Sequence, residues 1–454
     1  MKITVLGAGS FRSPLLLNAL YQRQKELNLT GLALMDTDVE RADTMLQLAR
    51  AAEPSLLEGV PIQVTDQKEA ALSGASFVLT TFRPGGMQAR IIDETIPLQY
   101  DTLGQETTGP GGFSMSLRSI PALLEYITIM QQVCPEAWLV NFANPSGLLT
   151  EAVHQLSGWT RMVGICDAPS SMKTFAARFL KVSEDEVFLD YYGLNHLGWV
   201  RKVLVGGDDI LPGFMEGVRN GLRIPGLPFS AGLLSQLGLV PNEYLVFYYK
   251  NREVVRAVKE HGKTRGEELL AQNQGMYSRV QAALAAGDPA AALEAYRQYL
   301  QCRWRSYMAT ESSADHASGS EVDLNQLAQE GYTAVALDLI EALCGKKTRV
   351  MTVNVINQGA IEGMDERSIV EVPAVVSHNC IRPLAVGAVK AETLELMQRV
   401  KNYENLAIQA VKSGSFTAGK AALRAHPLVR DGETAELILR GYQQSFGKEF
   451  LPNP

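Results

Sequence analysis

Cys166, in Gly164-Ile165-Cys166-Asp167, and His196, in Gly193-Leu194-Asn195-His196-Leu197-Gly198-Trp199, offer a thiolate and an imidazole. That is a workable ligand pair for a soft-to-borderline metal ion. Each follows an apolar run of strand character, residues 161–165 and 187–192. A third fragment, Asn141-Phe142-Ala143-Asn144-Pro145-Ser146-Gly147, closes the run 137–141. In an open parallel sheet the residues just past the carboxyl ends of strands line the ligand crevice. Asn144, Cys166 and Asp167 are therefore expected to share one cleft. The plainer reading stays open beside it: a cysteine at a strand end is often a small buried hydrophobe, and a histidine is often a hydrogen-bonded core or surface residue.

Composition bounds the classes. The chain has 454 residues, 46% hydrophobic and 20% charged, which fits a globular enzyme of two domains. A net charge of −7 gives no electrostatic case for nucleic acid or an anionic membrane. No apolar run approaches the roughly 18–20 residues of a membrane span, and the first apolar run breaks at Gly7-Ala8-Gly9, unlike a signal peptide. Cys134, Cys166, Cys302, Cys344 and Cys380 are scattered and odd in number. That pattern argues for a reducing cytoplasm rather than a disulfide framework.

The elements that must position these residues begin at the N-terminus. Residues 2–6 read as a buried strand and run into Gly7-Ala8-Gly9-Ser10-Phe11-Arg12-Ser13-Pro14. A helix is expected to follow, ending near Leu27, with Ser13 as its N-cap and Pro14 in its first turn. Gly7 and Gly9 let the backbone approach a pyrophosphate, and Ser10, Phe11 and Arg12 complete the turn. Arg12 stands where a dinucleotide turn usually has its third glycine. The glycines could also serve turn geometry alone. A second strand, 31–35, ends at Asp36, the place of the acid that binds the adenosine ribose. A carboxylate there repels a 2′-phosphate, which favours NAD over NADP. Asp36 could instead cap the helix from Val39. Strands at 61–65, 76–82 and 137–141, with a helix at 120–134, complete a doubly wound α/β pattern.

Between the fourth and fifth strands lies a polar, Gly-rich connection: Phe82-Arg83-Pro84-Gly85-Gly86, then Arg90 to Glu94, then 104–112. Such a loop at the crevice suits substrate contacts. Arg83 and Arg90 could hold an anionic group, or Arg90 could pair with Glu94 one turn on, on a solvated helix.

The ordered series GAGSFRSP, FRPGG, RIIDETIPL, GQETTGPGG, NFANPSG, GICD, YYGLNHLGW and PNEYLVFYY, with NQGAIEGM, VEVPAVV and the His426-Pro427-Leu428 tail, resembles glycoside hydrolase family 4 over nearly the whole chain. This family departs from two-carboxylate glycosidases. The resemblance implies NAD and a divalent metal, typically Mn2+. NAD oxidises the sugar C3 hydroxyl, a tyrosine removes the acidified C2 proton, the C1–O bond breaks by elimination, water adds, and NADH returns the hydride. It further implies Cys166 and His196 as metal ligands, Tyr244 as the base, and Asp167 as the leaving-group acid. Asn144 and Glu106 are implied at the sugar, and Arg265 near the active centre. Arg265 reads equally as a solvated helix charge. The Cys166-Asp167 pair is the pattern of α-specific members, whereas FRPGG and NEYLVFYY are those of 6-phospho-β-glucosidases. Gln329-Glu330-Gly331 stands where many of the latter carry Arg-Gly-Gly.

The expectation is thus a 6-phospho-β-glucosidase, with an α-, galactoside- or uronide-specific member as the alternative. A lactate/malate-type 2-hydroxy acid dehydrogenase or a non-catalytic NAD sensor are readings from other classes. The fold expected is a Rossmann-like doubly wound domain, 1–195, followed by a mixed α+β domain, 196–454, for metal, substrate and oligomerisation. The substrate is a small sugar glycoside, and a homodimer or homotetramer is expected. In the second half, 210–241 reads as loops with short helices, a helix from Asn242 carries Tyr244, 282–301 reads as one helix, and 311–320 as a polar loop. Residues 392–411 form an amphipathic helix with Leu394, Met397, Val400, Tyr403, Leu406 and Ala410 on one stripe, for core or subunit interface, ended by Gly414.

Overall fold

The two N-terminal strands, KITVL and GLALM, are buried along nearly their whole length. Continuous burial of this kind belongs to the centre of a parallel sheet covered on both faces. The structure, a computed structural model, describes residues 1–222, 227–312, 323–447 and 450–452. Six strands run in parallel: β1 (Lys2–Leu6), β2 (Gly31–Met35), β3 (Ile62–Thr65), β4 (Phe77–Thr80), β5 (Trp138–Asn141) and β6 (Met162–Gly164). Their order is β6-β5-β4-β1-β2-β3, the doubly wound order whose switch point lies between β1 and β4. The expected α/β architecture is thus observed.

The same sheet continues past β6 with antiparallel strands: β7 (Val187–Leu194), β8 (Leu197–Val205), β9 (Asp208–Asp209), β10 (Val240–Pro241), β11 (Arg349–Ile356), β12 (Ile369–Ser377) and β13 (Cys380–Pro383). β11 pairs with β6, β12 with β11 and with β7, and β8 with β7. The sites expected at the ends of β5, β6 and β7 are therefore brought to one region.

Four sequence expectations need correction. The first helix is Ser13–Gln22, with Arg12 rather than Ser13 in the capping position. The chain is already in helical dihedrals at Arg12, so Ser13 falls inside the first turn, and its buried hydroxyl has no hydrogen-bond partner. The helix expected at 120–134 is Gly109–Val133. Its Gly-rich start is helical because Gly111 and Gly112 lie against the backbone of Gln105 and Thr107, where a side chain has no room. The helix expected at 282–301 is two, Arg265–Ala285 and Pro289–Arg305. Gly287 takes φ +71° between them, and the Asp288 side chain caps the second. Tyr244 lies in a short 3-10 turn, Glu243–Leu245, rather than in a regular helix.

The helix expected at 392–411 is Ala391–Ser413, ended by Gly414 in the left-handed region. Met397, Val400, Tyr403 and Ala410 are buried in the core, so the stripe packs internally. Residues 313–320 of the polar segment lie outside the described residues. Among the described residues no helix is long and apolar enough to cross a membrane.

Candidate active site

The glycine turn after β1 sits at the switch point. Gly7 has φ +91°, and a Cβ on it would come within 2.6 Å of the Phe82 amide nitrogen. Only glycine fits there. Thr81 closes the other side by donating to the Gly7 carbonyl at 2.7 Å. The Asp36 carboxylate accepts from the Gly9 amide at 2.7 Å and from the Asp38 amide at 3.0 Å. The helix Val39–Ala52 is capped by Asp38, not Asp36, so the capping reading of Asp36 falls. A carboxylate fixed beside the glycine turn suits a ribose. The residues therefore fit a dinucleotide: a permissive turn, a helix N-terminus without a side-chain cap, and an acid at the end of β2. We expect Asp36→Ala to weaken NAD binding by about 10–100-fold, the worth of charge-assisted hydrogen bonds of roughly 1.5–3 kcal/mol. It should also narrow the preference over NADP. Calorimetric titration with both cofactors checks this, and unchanged affinities would leave Asp36 a turn-former only.

His196 is formed by a tight corner. Leu194 pairs with Leu197, leaving Asn195-His196 as a two-residue turn between β7 and β8. His196 takes φ +61°, a strained value for a residue with a Cβ. It is 2% exposed, and neither ring nitrogen has a hydrogen-bond partner. Burial pulls its pKa down to about 3, so the imidazole is neutral and its lone pair free. Its ring stacks on Tyr244 with centroids 3.5 Å apart and planes within 4°.

Cys166 is also buried, its sulfur 3.9 Å from Asp167 Oδ1. Burial, then the charges of Glu371 and Asp167, push the thiol well above its ordinary range. It needs a cation to become a thiolate. Among the described residues no three His, Cys, Asp or Glu side chains gather to hold an ion. Cys166 and His196 could supply two protein donors to an ion and leave positions open, as a catalytic rather than a structural metal site does. A buried imidazole with both ring nitrogens unpartnered, and a buried thiol, are side chains that fit such an ion.

Tyr244 accepts from the Tyr307 hydroxyl at 2.8 Å. Burial, then Tyr307, Tyr332 and Asp167, hold its phenol well above the usual range. Asp167 is raised by burial against the opposing pull of Arg12 and a hydrogen bond from Tyr332. A carboxyl whose protonated form burial favours suits a general acid. Glu243 is pushed up to about 7 by burial and, secondarily, by Asp167.

Glu106 collects the arginines. Arg83 binds it at 2.6 Å, Arg90 binds the same oxygen, and Asn144 donates to its other oxygen at 3.0 Å. Burial opposes its charge, but Arg90 and Arg83 outweigh that and hold it well below the usual carboxylate range. Arg90 also pairs with Glu94 at 2.7 Å. That pair is buried, not solvated as the simpler reading had it. Arg265 is likewise no solvated charge: it bonds Ser306, Glu268 and the Arg303 carbonyl.

Sequence reasoning missed Arg303, Tyr307, Glu243 and Glu371. Arg303 lines both a cavity of about 950 Å³ holding Arg12, Asp167 and Glu243 and a smaller one of about 80 Å³ holding Arg90, Glu106, Tyr244 and Arg265. Burial, then the crowding of Arg12, Arg90 and Arg265, pushes it down to about 10 against the pull of Tyr299. Only the helix ending at Arg305 brings it there.

The chain matches the model of family 4 glycosyl hydrolases over residues 2–182 and that of their C-terminal domain over 191–429. It is 31% identical to a probable 6-phospho-beta-glucosidase of Bacillus subtilis, over 100% of this chain and 97% of the relative. It is 30% identical to a 6-phospho-beta-glucosidase of Escherichia coli, over 100% and 96%. Its fold is similar to that of the 6-phospho-beta glucosidase from Thermotoga maritima, solved with manganese, NAD+ and glucose-6-phosphate, with a TM-score of 0.82, 27% identity and 98% of each chain covered.

Proposed function

The chain belongs to glycoside hydrolase family 4, and from that premise we propose that it hydrolyses 6-phospho-β-glucosides using NAD and a divalent metal ion, Mn2+ first. The names of its relatives support the substrate and the bound groups of the Thermotoga maritima protein support the cofactors. The observation that carries the reading is His196, buried with both ring nitrogens unpartnered, stacked on Tyr244. A buried imidazole normally finds a partner, and a bound ion would supply one here.

When bound, NAD supplies the hydride acceptor and donor for the sugar C3, and a divalent ion held by Cys166 and His196 supplies charge that stabilises the enediolate. Tyr244 removes the C2 proton. Asp167, whose protonated form burial favours, gives its proton to the leaving oxygen as the C1–O bond breaks. Water then adds across C1 and C2, its hydroxyl to C1 and its proton to the Asp167 carboxylate, while Tyr244 returns a proton to C2. Asn144, oriented by Glu106, contacts the sugar hydroxyls. Arg83 and Arg90 are largely committed to Glu106, so we assign the 6-phosphate chiefly to Arg303, which crowding by Arg12, Arg90 and Arg265 leaves short of negative charge, with Arg265, itself paired with Glu268, beside it. The readings of 1–195 as the nucleotide half and 196–454 as the metal and substrate half, of a homodimer or homotetramer, and of a cytoplasmic enzyme go with this function. The free cysteines support the last.

The test is a panel of p-nitrophenyl α- and β-glycosides, with and without a 6-phosphate, in NAD and Mn2+. Turnover is expected on the phosphorylated β-glucoside, with NAD required and NADH not accumulating. Stoichiometric NADH release would favour the dehydrogenase class. Preference for the α-anomer would overturn the subtype.

A further inference from the structure

Glu371 lies in the middle of β12, in the apolar run Val-Glu-Val-Pro-Ala-Val-Val. It is 1% exposed, and although its charge is felt at Cys166, its hydrogen bonds run to Tyr191, Asn195 and Asn354 rather than to the reacting groups assigned above. Burying a carboxylate is costly unless its oxygens are well bonded, and here they are. Tyr191 donates to one oxygen at 2.7 Å. Asn354 and Asn195 donate to the other at 3.0 and 3.3 Å.

Each of those donors leads to a different part of the site. Asn354 also donates to the carbonyl of Gly164, two residues before Cys166, at 3.3 Å. Asn195 immediately precedes His196 in the two-residue turn, and its side-chain oxygen accepts from the Gly147 amide. Tyr191 accepts from Asn242 at 3.1 Å, and Asn242 begins the turn that carries Tyr244. The turn with Tyr244 follows β10, at the far edge beyond β8, while those with Cys166 and His196 follow β6 and β7, on either side of the β11–β12 pair. There the ladders are one register pair long among the described residues, Asn354 with Gly164 and Glu371 with Gly193. The backbone pairing is thinnest where the site needs the most precision. Packing is tight around the same group: a Cβ on Gly164 would lie 3.0 Å from Asn354 Cβ, and one on Gly147 would lie 3.0 Å from Asn195 Cβ.

We propose that Glu371 is a positioning residue for this reaction: a buried carboxylate that fixes, through Asn354, Asn195 and the Tyr191–Asn242 pair, the turns bearing Cys166, His196 and Tyr244. It acts through one arm on the metal ligands and through the other on the base. The inference rests on the functional reading of those three residues. It goes beyond that reading by assigning their relative placement to one side chain on a strand that carries none of them.

Two variants separate the arms. Glu371→Gln keeps the shape but replaces one acceptor oxygen by a donor. Tyr191→Phe breaks the link to Asn242 and leaves the two asparagines in place. The readouts are Mn2+ titration of the NAD-loaded enzyme by calorimetry, NAD affinity, melting temperature, and kcat and KM on p-nitrophenyl 6-phospho-β-glucoside. For Glu371→Gln, Mn2+ affinity is expected to fall about 10–100-fold, the usual effect of losing a group that orients metal ligands, and kcat to fall with it. NAD affinity and KM should stay within about twofold. For Tyr191→Phe, kcat should fall while Mn2+ affinity holds. Unchanged Mn2+ affinity in Glu371→Gln overturns the proposal. So does a joint collapse of Mn2+ affinity, NAD affinity and melting temperature, which would mark a purely structural group. If Cys166→Ser and Tyr244→Phe were both fully active, the functional reading would fail and take the positioning role with it. If both were inactive while Glu371→Gln matched the parent enzyme, the positioning role alone would fail.

Discussion

Tyr244→Phe is expected to lower turnover by roughly 10²–10⁴-fold, the usual worth of a positioned proton-transfer group. The substitution isolates the hydroxyl. A phenylalanine ring keeps the stack on His196, now at 3.5 Å, and the contact with Phe247, so the turn and the metal ligand should stay in place. What is lost is the phenol that accepts from Tyr307. In the protein alone, burial and neighbouring Tyr307, Tyr332 and Asp167 keep that phenol protonated. An ion at His196 would reverse the balance by placing positive charge beside the ring. NAD affinity should be preserved, because the glycine turn and Asp36 belong to a different part of the sheet. Measuring kcat and NAD binding together decides the matter. If Tyr244→Phe lost less than about threefold in kcat, the ring would be a packing element and the base would lie elsewhere.

Removal of the metal should have a comparable effect. A chelator is expected to abolish activity and Mn2+ to restore it. Cys166→Ser should weaken Mn2+ binding by at least about 10²-fold, because an alkoxide-poor serine replaces a soft thiolate, one of the two protein donors proposed for the ion. The two sulfur and oxygen side chains are close in size, so the fold should be retained, as a melting curve would confirm. Burial and the nearby carboxylates discourage ionisation of the thiol, so the ion itself must draw the proton off. Full activity of a metal-free Cys166→Ser protein would remove the metal from the account.

The parts of this arrangement legible in the sequence are those written locally. Strand, glycine turn, helix, strand and acid follow one another from Lys2 to Asp36, and each has its own composition signal. Cys166, Asp167 and Asn144 were readable as strand-end residues because strand ends in such a sheet share one rim. The helix start at Gly109 was not readable, since Gly-Pro-Gly-Gly is a loop signal and only contacts with the chain at Gln105 and Thr107 make it helical. The break at Gly287-Asp288-Pro289 did carry its signal, a glycine followed by a capping acid and proline, but the alanine-rich flanks hid it. The pairing of Glu106 with Arg83 and Arg90 depends on two helices and a loop folding together, so no spacing rule gives it. Arg303 and Tyr307 reach the site from a helix end far along the chain. Glu371 had a faint signal of its own, a lone acid inside an otherwise apolar strand.

The central claim is that C2 of the sugar is deprotonated while C3 is a ketone, and one experiment reads that step directly. Hydrolysis of p-nitrophenyl 6-phospho-β-glucoside is run in D2O with purified enzyme, NAD and Mn2+, and the hexose 6-phosphate product is examined at C2 by NMR. Proton removal by Tyr244 and return from solvent-exchanged phenol should place deuterium at C2. A displacement through an oxocarbenium-like transition state leaves that C–H bond untouched. Product carrying only hydrogen at C2 would contradict the elimination account, whatever NAD and metal the protein binds.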